Sequence, residues 1–137
     1  MTRKLFEIWD IILHQTTTYG MLDEEMLTDI HTRAFKTMMF YIQQQYQNPV
    51  TLEDISASGN VSKSLCNRIF NKYVGESPVS YLVNFRLRKA AEYLRTTNLS
   101  LSEIARRTGF NGASYMAEMF KKAFGVSPMV YRKTPPA

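Results

Sequence analysis

The sequence has one cysteine, two histidines, six glycines and five prolines in 137 residues. A lone Cys66 closes no internal disulfide and nucleates no thiolate metal site, a usage that fits a reducing cytoplasm. His14 and His31 lie 17 residues apart with no cluster of other ligands beside them, so neither reads as a metal ligand or a general base. A glycine-rich phosphate loop, a nucleophile elbow and an HExxH motif are all missing. The expectation is therefore a protein with no enzymatic activity, no metal and no cofactor. No apolar run approaches the roughly 20 residues that cross a bilayer. Met1-Thr2-Arg3-Lys4 is basic, but Glu7 and Asp10 interrupt the stretch after it, so no secretory h-region is expected there.

What is present is enough for a packed core: 45% of residues are hydrophobic and 12% aromatic. The net charge of +5 is unevenly placed. Residues 1–50 hold four basic and six acidic side chains, a balance of −2, whereas residues 51–137 hold 13 and six, a balance of +7. A basic excess confined to one part of a chain suggests a nucleic-acid or other anionic partner for that part.

Leu5, Ile8, Trp9, Ile12 and Leu13 recur at spacings of three and four, an amphipathic helix of about three turns. Thr16-Thr17-Thr18-Tyr19-Gly20 ends it. A longer helix follows, with Ile30, Ala34, Met38 and Ile42 on one stripe and Thr28 or Asp29 as its cap. Pro49 ends that helix, because the residue before a proline is pushed out of the α region.

Beyond Pro49 the chain repeats. Thr51-Leu52-Glu53-Asp54-Ile55 resembles Ser100-Leu101-Ser102-Glu103-Ile104, 49 residues later. At a spacing of 50, Gly59 pairs with Gly109, Ser64 with Ser114, Phe70 with Phe120, Lys72 with Lys122, Gly75 with Gly125, Ser77-Pro78 with Ser127-Pro128 and Tyr81 with Tyr131. Each unit reads as a short helix, a tight turn and a longer helix. Thr51 and Ser100 are N-caps, each with a carboxylate three positions on (Asp54, Glu103) to close a capping box. Gly59 and Gly109 supply the left-handed turn. The longer helices run over about 62–74 and 113–124. Ser77-Pro78 and Ser127-Pro128 then open new helices, with proline at the first helical position. Short helix, glycine turn and longer helix make a helix-turn-helix. Between the units, residues 78–96 form a linker helix with Leu82, Phe85, Ala90 and Leu94 on one face and Arg86, Arg88, Lys89 and Arg95 around the rest.

In unit two, Ile104-Ala105-Arg106-Arg107-Thr108-Gly109-Phe110, Ser114-Tyr115-Met116, Phe120-Lys121-Lys122, Gly125-Val126-Ser127-Pro128 and Tyr131-Arg132 follow one family signature nearly in order. Unit one matches through Ser62, Arg68-Ile69-Phe70, Lys72, Gly75 and Ser77-Pro78, and the linker through Tyr81-Leu82, Arg86-Leu87 and Ala90. Residues 51–132 thus resemble the DNA-binding region of AraC/XylS-type transcription regulators. The resemblance implies an all-α domain of two helix-turn-helix subdomains (about 29–77 and 97–133) joined by a linker helix (78–96), preceded by an N-terminal amphipathic connector or dimerisation segment (1–28). It implies double-stranded DNA as partner, RNA polymerase as a second one, and a homodimer through residues 5–27. Regulators of this type commonly carry a sensor domain ahead of this region, so the chain is expected to be either a stand-alone activator or, the preferred reading, the C-terminal piece of a longer effector-responsive protein.

An α-helix fits the major groove and reads base edges with its outward side chains. In unit one the inward positions are Cys66, Ile69, Phe70 and Tyr73, which leaves Lys63, Ser64, Asn67, Arg68 and Asn71 outward. The resemblance places Ser64, Asn67 and Arg68 on bases, and Asn71 lies on the same stripe. In unit two the stripe holds Ala113, Ser114, Ala117 and Glu118, a poorer reading set, because a carboxylate accepts only from a base amino group and repels phosphate. Two readings of Glu118 stand: a base contact, or a pair with Lys121 or Lys122. Sequence discrimination is therefore expected mainly from unit one. Phosphate contacts are expected from Lys63, Lys72, Arg106, Arg107, Lys121, Lys122 and Arg132, and about six of them give a log K against log salt slope near −5. A helical protein-interaction domain and a DNA-repair methyltransferase are the alternatives. The latter needs an activated thiolate, and Cys66 has no activating neighbour in sequence.

Overall fold

Thr51, Ser62, Ser77, Ser100 and Ser127 all adopt extended backbone, and each hydroxyl accepts a backbone N–H three residues on at 3.1–3.2 Å. Such caps satisfy helix-end donors and are worth about 1 kcal/mol apiece. They set the starts of five of the seven helices that the computed structural model shows over residues 24–135, the residues it describes. These are α1 (Glu24–Gln45), α2 (Leu52–Ser58), α3 (Lys63–Val74), α4 (Pro78–Thr96), α5 (Leu101–Thr108), α6 (Ala113–Phe124) and α7 (Pro128–Lys133). The expected helix at Leu5–Leu13 lies outside the described residues.

The all-α architecture and both helix-turn-helix units are as expected, and four local readings change. α1 starts at Glu24, so Thr28 and Asp29 lie inside it rather than capping it, and the expected division between residues 28 and 29 falls within this helix. Ile30 is exposed; the buried stripe is Phe35, Met38 and Ile42. In the first turn, Gly59 has φ −99° and the left-handed residue is Asn60, at φ 57°. Gly59 is required for room instead: a Cβ there would lie 2.7 Å from Met38 Cγ. Finally, Thr51 and Asp54 close a full capping box, but Glu103 turns away from Ser100 toward Arg106 and Arg107. A carboxylate beside two guanidiniums gains more from charge-assisted bonds than from a neutral N–H.

Two hydrophobic cores result. The first gathers Phe35, Met38 and Ile42 of α1 with Ile55, Cys66, Ile69 and Phe70, and ends on Tyr81 and Leu82 of α4. The second begins on α4 with Leu87, Ala90, Ala91 and Leu94 and adds Ile104, Ala105, Phe110, Met116 and Phe120. One helix of 19 residues, about 28 Å long, therefore carries one core on its first half and the other on its second. Its polar flank also differs from a solvated surface: Arg88 lies over the Tyr81 and Phe85 rings, at 5.8 and 5.4 Å.

Candidate nucleic-acid interface

Burying Cys66, Ile69 and Phe70 at 1% exposure or less fixes the rotation of α3 about its axis. Each buried aromatic or aliphatic side chain contributes about 1.5–3 kcal/mol, so the face opposite has no freedom to turn in. That face carries Lys63, Ser64, Arg68, Asn71 and Lys72, all exposed, with Asn67 half-buried. Asn67 Nδ2 donates to the Lys63 carbonyl at 3.1 Å, and Asn71 Nδ2 to the Asn67 carbonyl at 2.8 Å. Each carboxamide keeps a second N–H and its Oδ1, the donor and acceptor that adenine's edge requires. Arg68 and Lys72 also border an open groove that α3 forms with Leu27 and His31 of α1.

α6 is held in the same way by Met116 and Phe120, both fully buried. Its outward side has Ser114 and Glu118 exposed and Ala113 and Ala117 half-buried, with Lys121 and Lys122 exposed in the last turn. Glu118 makes no ion pair with Lys121 or Lys122. Gly112 caps the helix at φ 108° with no side-chain bond, so its first-turn N–H groups lack the hydroxyl partner that Ser62 gives α3. Tyr115, which reasoning from sequence did not single out, is 46% exposed beside Ser114, its ring packed edge-on against Phe110 at 6.0 Å.

The expected phosphate ligands divide into three groups. Lys63, Lys72, Lys121 and Lys122 are exposed, and Lys72 Nζ lies 5.6 Å above the Tyr73 ring. Arg106 and Arg107 are exposed but share Glu103, which bonds both guanidiniums. The hydrogen bond from Arg106, then that from Arg107, hold the Glu103 carboxyl below the usual range. The trio therefore carries a net charge of one, not two. Arg132 is different: its Nε donates to the Leu94 carbonyl and its Nη2 to the Thr97 carbonyl, both at 3.1 Å. This guanidinium closes the C-terminal end of α4, where unsatisfied carbonyls favour a cation, and it is withdrawn from the phosphate-facing set.

Cys66 is fully buried, its thiol 3.6 Å from Met38 Sδ, and burial pushes its pKa up to about 11. That is the reverse of an activated alkyl acceptor. Among the described residues no helix is long and apolar enough to cross a membrane.

A profile for the family described as a helix-turn-helix domain matches residues 55–134. The HTH-type transcriptional activator AarP of Providencia stuartii is 30% identical over 105 residues, which cover 77% of this chain and 78% of that protein. The C-terminal domain of AraT, a response regulator of Geobacillus stearothermophilus, superposes with a TM-score of 0.68 at 38% identity, over 79% of this chain and 87% of that one. The fold is shared with an AraC-type regulator from Chromobacterium violaceum (TM-score 0.69, 23% identity, 75% and 95% covered). It is shared too with the DNA-binding domain of AdpA in complex with a target DNA (0.68, 24%, 73% and 89%). Against other curated relatives the chain is short, spanning 36, 41 and 32% of three uncharacterized regulators from Bacillus subtilis, Haemophilus influenzae and Escherichia coli.

Proposed function

Because the chain belongs to the AraC-type helix-turn-helix family of DNA-binding transcription regulators, we propose that it reads one DNA site with α3 and α6 in successive major-groove segments. The observation that carries this is the doubled arrangement itself: two helices, each with its inner face locked in a core and its outer face polar, on the two halves of one stiff helix. Ser64, Asn67, Arg68 and Asn71 face bases from α3; Ala113, Ser114, Ala117 and Glu118 do so from α6. Arginine pairs with guanine and asparagine with adenine, each good pair worth about 1–3 kcal/mol of discrimination. The richer donor and acceptor set of α3 supports it as the main reader, with α6 chiefly positioning the protein.

Lys63, Lys72, Arg106, Arg107, Lys121 and Lys122 face phosphates. In the same reading residues 29–77, 78–96 and 97–133 act as first unit, linker and second unit. The chain works in the cytoplasm, carries no enzymatic activity, contacts RNA polymerase and pairs with a second copy through residues 5–27. A species of one-chain mass at high concentration in analytical ultracentrifugation would reject the pairing. Selection from a random duplex pool tests the central claim. The expected product is two conserved elements about one helical turn, 10–10.5 base pairs, apart. Alanine scans of the two stripes should then relax specificity more at the element read by α3, and equal losses at both elements would reject that division.

A further inference from the structure

Arg86 stands in the middle of α4, between Leu82 of the first core and Leu87 of the second. Its Nε donates to the Tyr46 carbonyl and its Nη2 to the Asn48 carbonyl, both at 2.8 Å. Those carbonyls lie just past the end of α1, on the side of the first unit. The second unit reaches the same point. A Cβ at Gly109 would lie 2.2 Å from the Tyr46 oxygen and 2.8 Å from Arg86 Nε, so the backbone of the α5–α6 turn rests directly on this carbonyl and this guanidinium. Burial depresses the Arg86 pKa while the nearby Tyr115 of α6 opposes the shift. One oxygen, that of Tyr46, is thus touched by the linker and by the second unit at once.

We infer that Arg86 is a positioning residue that sets the phase between the two recognition helices. This rests on the reading that α3 and α6 engage one duplex. The two cores attach the units to different halves of α4, so neither core by itself joins one unit to the other. The fork of Arg86, with two fixed donors in one plane, ties the carbonyls just past α1 to the linker, and Gly109 seats unit two on the same spot. One base pair of added spacing rotates a half-element by about 35° and shifts it about 3.4 Å. A clamped pair of helices rejects that displacement and a loosened pair follows it.

The test uses the full chain and a set of duplexes carrying the two selected elements at their original spacing and moved by one and two base pairs either way, plus a duplex with the α3 element alone. The wild-type chain should lose about tenfold or more in affinity for each base pair of displacement. Arg86→Met, which keeps the stem and removes the donors, should flatten that profile to within about threefold. It should lose about tenfold at the original spacing and leave the single-element affinity unchanged. Arg86→Lys, which retains the charge but not the fork, should fall between, and serves alone if the methionine variant does not fold. A variant that weakens binding equally at every spacing overturns the inference and leaves Arg86 a structural residue. A wild-type chain indifferent to spacing also overturns it while leaving DNA recognition intact. A wild-type chain that selects no sequence instead fails the reading beneath it.

Discussion

Three glycine-to-alanine substitutions separate space from backbone strain, and Gly109→Ala is the decisive one. Gly109 has φ +86° and Gly125 has φ +80°, both left-handed, yet a Cβ at Gly125 meets nothing within 4 Å. Gly125→Ala therefore registers only the left-handed penalty of an L side chain, about 1–2 kcal/mol. Gly109→Ala adds a Cβ 2.2 Å from the Tyr46 oxygen, where ordinary carbon–oxygen contacts are at about 3.3 Å or more. The oxygen must retreat by roughly 1 Å, and it is the acceptor of Arg86 Nε. A hydrogen bond to a charged group is worth about 1.5–3 kcal/mol, so the total loss is about 2.5–5 kcal/mol. Gly59→Ala is an overpacking change, at about 1–3 kcal/mol. Its φ of −99° is ordinary, but the nearest atoms are Cγ and Sδ of the fully buried Met38, at 2.7 and 3.0 Å, and the Ala34 carbonyl at 3.3 Å leaves little slack. Urea unfolding followed by circular dichroism should place the loss for Gly109→Ala above that for Gly125→Ala, with Gly59→Ala registering overpacking alone. In the double variant with Arg86→Met, the two losses should fall short of additivity by about 1 kcal/mol or more, since both act on one oxygen. Equal losses for Gly109→Ala and Gly125→Ala, or strict additivity, would refute the contact between the units.

The salt dependence of DNA binding should show a slope near −5 for the six phosphate-facing cations, reduced by about 0.9 in Lys121→Gln or Lys122→Gln; Arg132→Gln should leave the slope unchanged and lower the urea midpoint, and a changed slope would restore Arg132 to the interface. Thr51→Ala, which opens a complete capping box, should cost about 1 kcal/mol in urea unfolding, and a neutral result would count against the cap. Cys66, with its pKa near 11 against an ordinary 9.0, should have about one-hundredth of the usual thiolate fraction at pH 8 and resist disulfide reagents until the chain unfolds. Since the folded thiol holds its proton above the pH at which the unfolded one loses it, Cys66 should make stability fall between about pH 9 and pH 11, and urea midpoints that rise across that window would contradict the burial of the thiol.

Much of the fold was legible because it is local. A hydroxyl three residues ahead of the N–H it accepts, a proline in a first turn and a glycine in a last one all act within one turn of helix, so Ser62, Ser77, Ser100 and Ser127 could be placed by reading along the chain. The inward stripes of α3 and α6 were legible for a related reason: Cys66, Ile69 and Phe70, like Met116 and Phe120, keep the spacing of one helical face. Ile30 broke that logic because periodicity shows that a helix has an apolar face but not how far its neighbours extend along it; α2 and α3 cover Phe35 to Ile42 and leave Ile30 uncovered. Asn60 and Gly59 traded roles because a left-handed residue can be asparagine, whereas the space beside Met38 is set by another helix.

The order of helices, the duplication and the two polar stripes follow from the amino-acid sequence alone, since each rests on interactions between residues no more than a few positions apart. The roles of the arginines do not. Arg86, Arg106, Arg107 and Arg132 look alike in sequence as cations on helices. Arg106 and Arg107 meet Glu103 on their own helix, three and four residues back, whereas the partners of Arg86 and Arg132 are carbonyls at Tyr46 and Leu94, which arrive from about 40 residues away. A guanidinium on its long stem has no preferred partner until packing supplies one, and only the tertiary structure brings those carbonyls within reach.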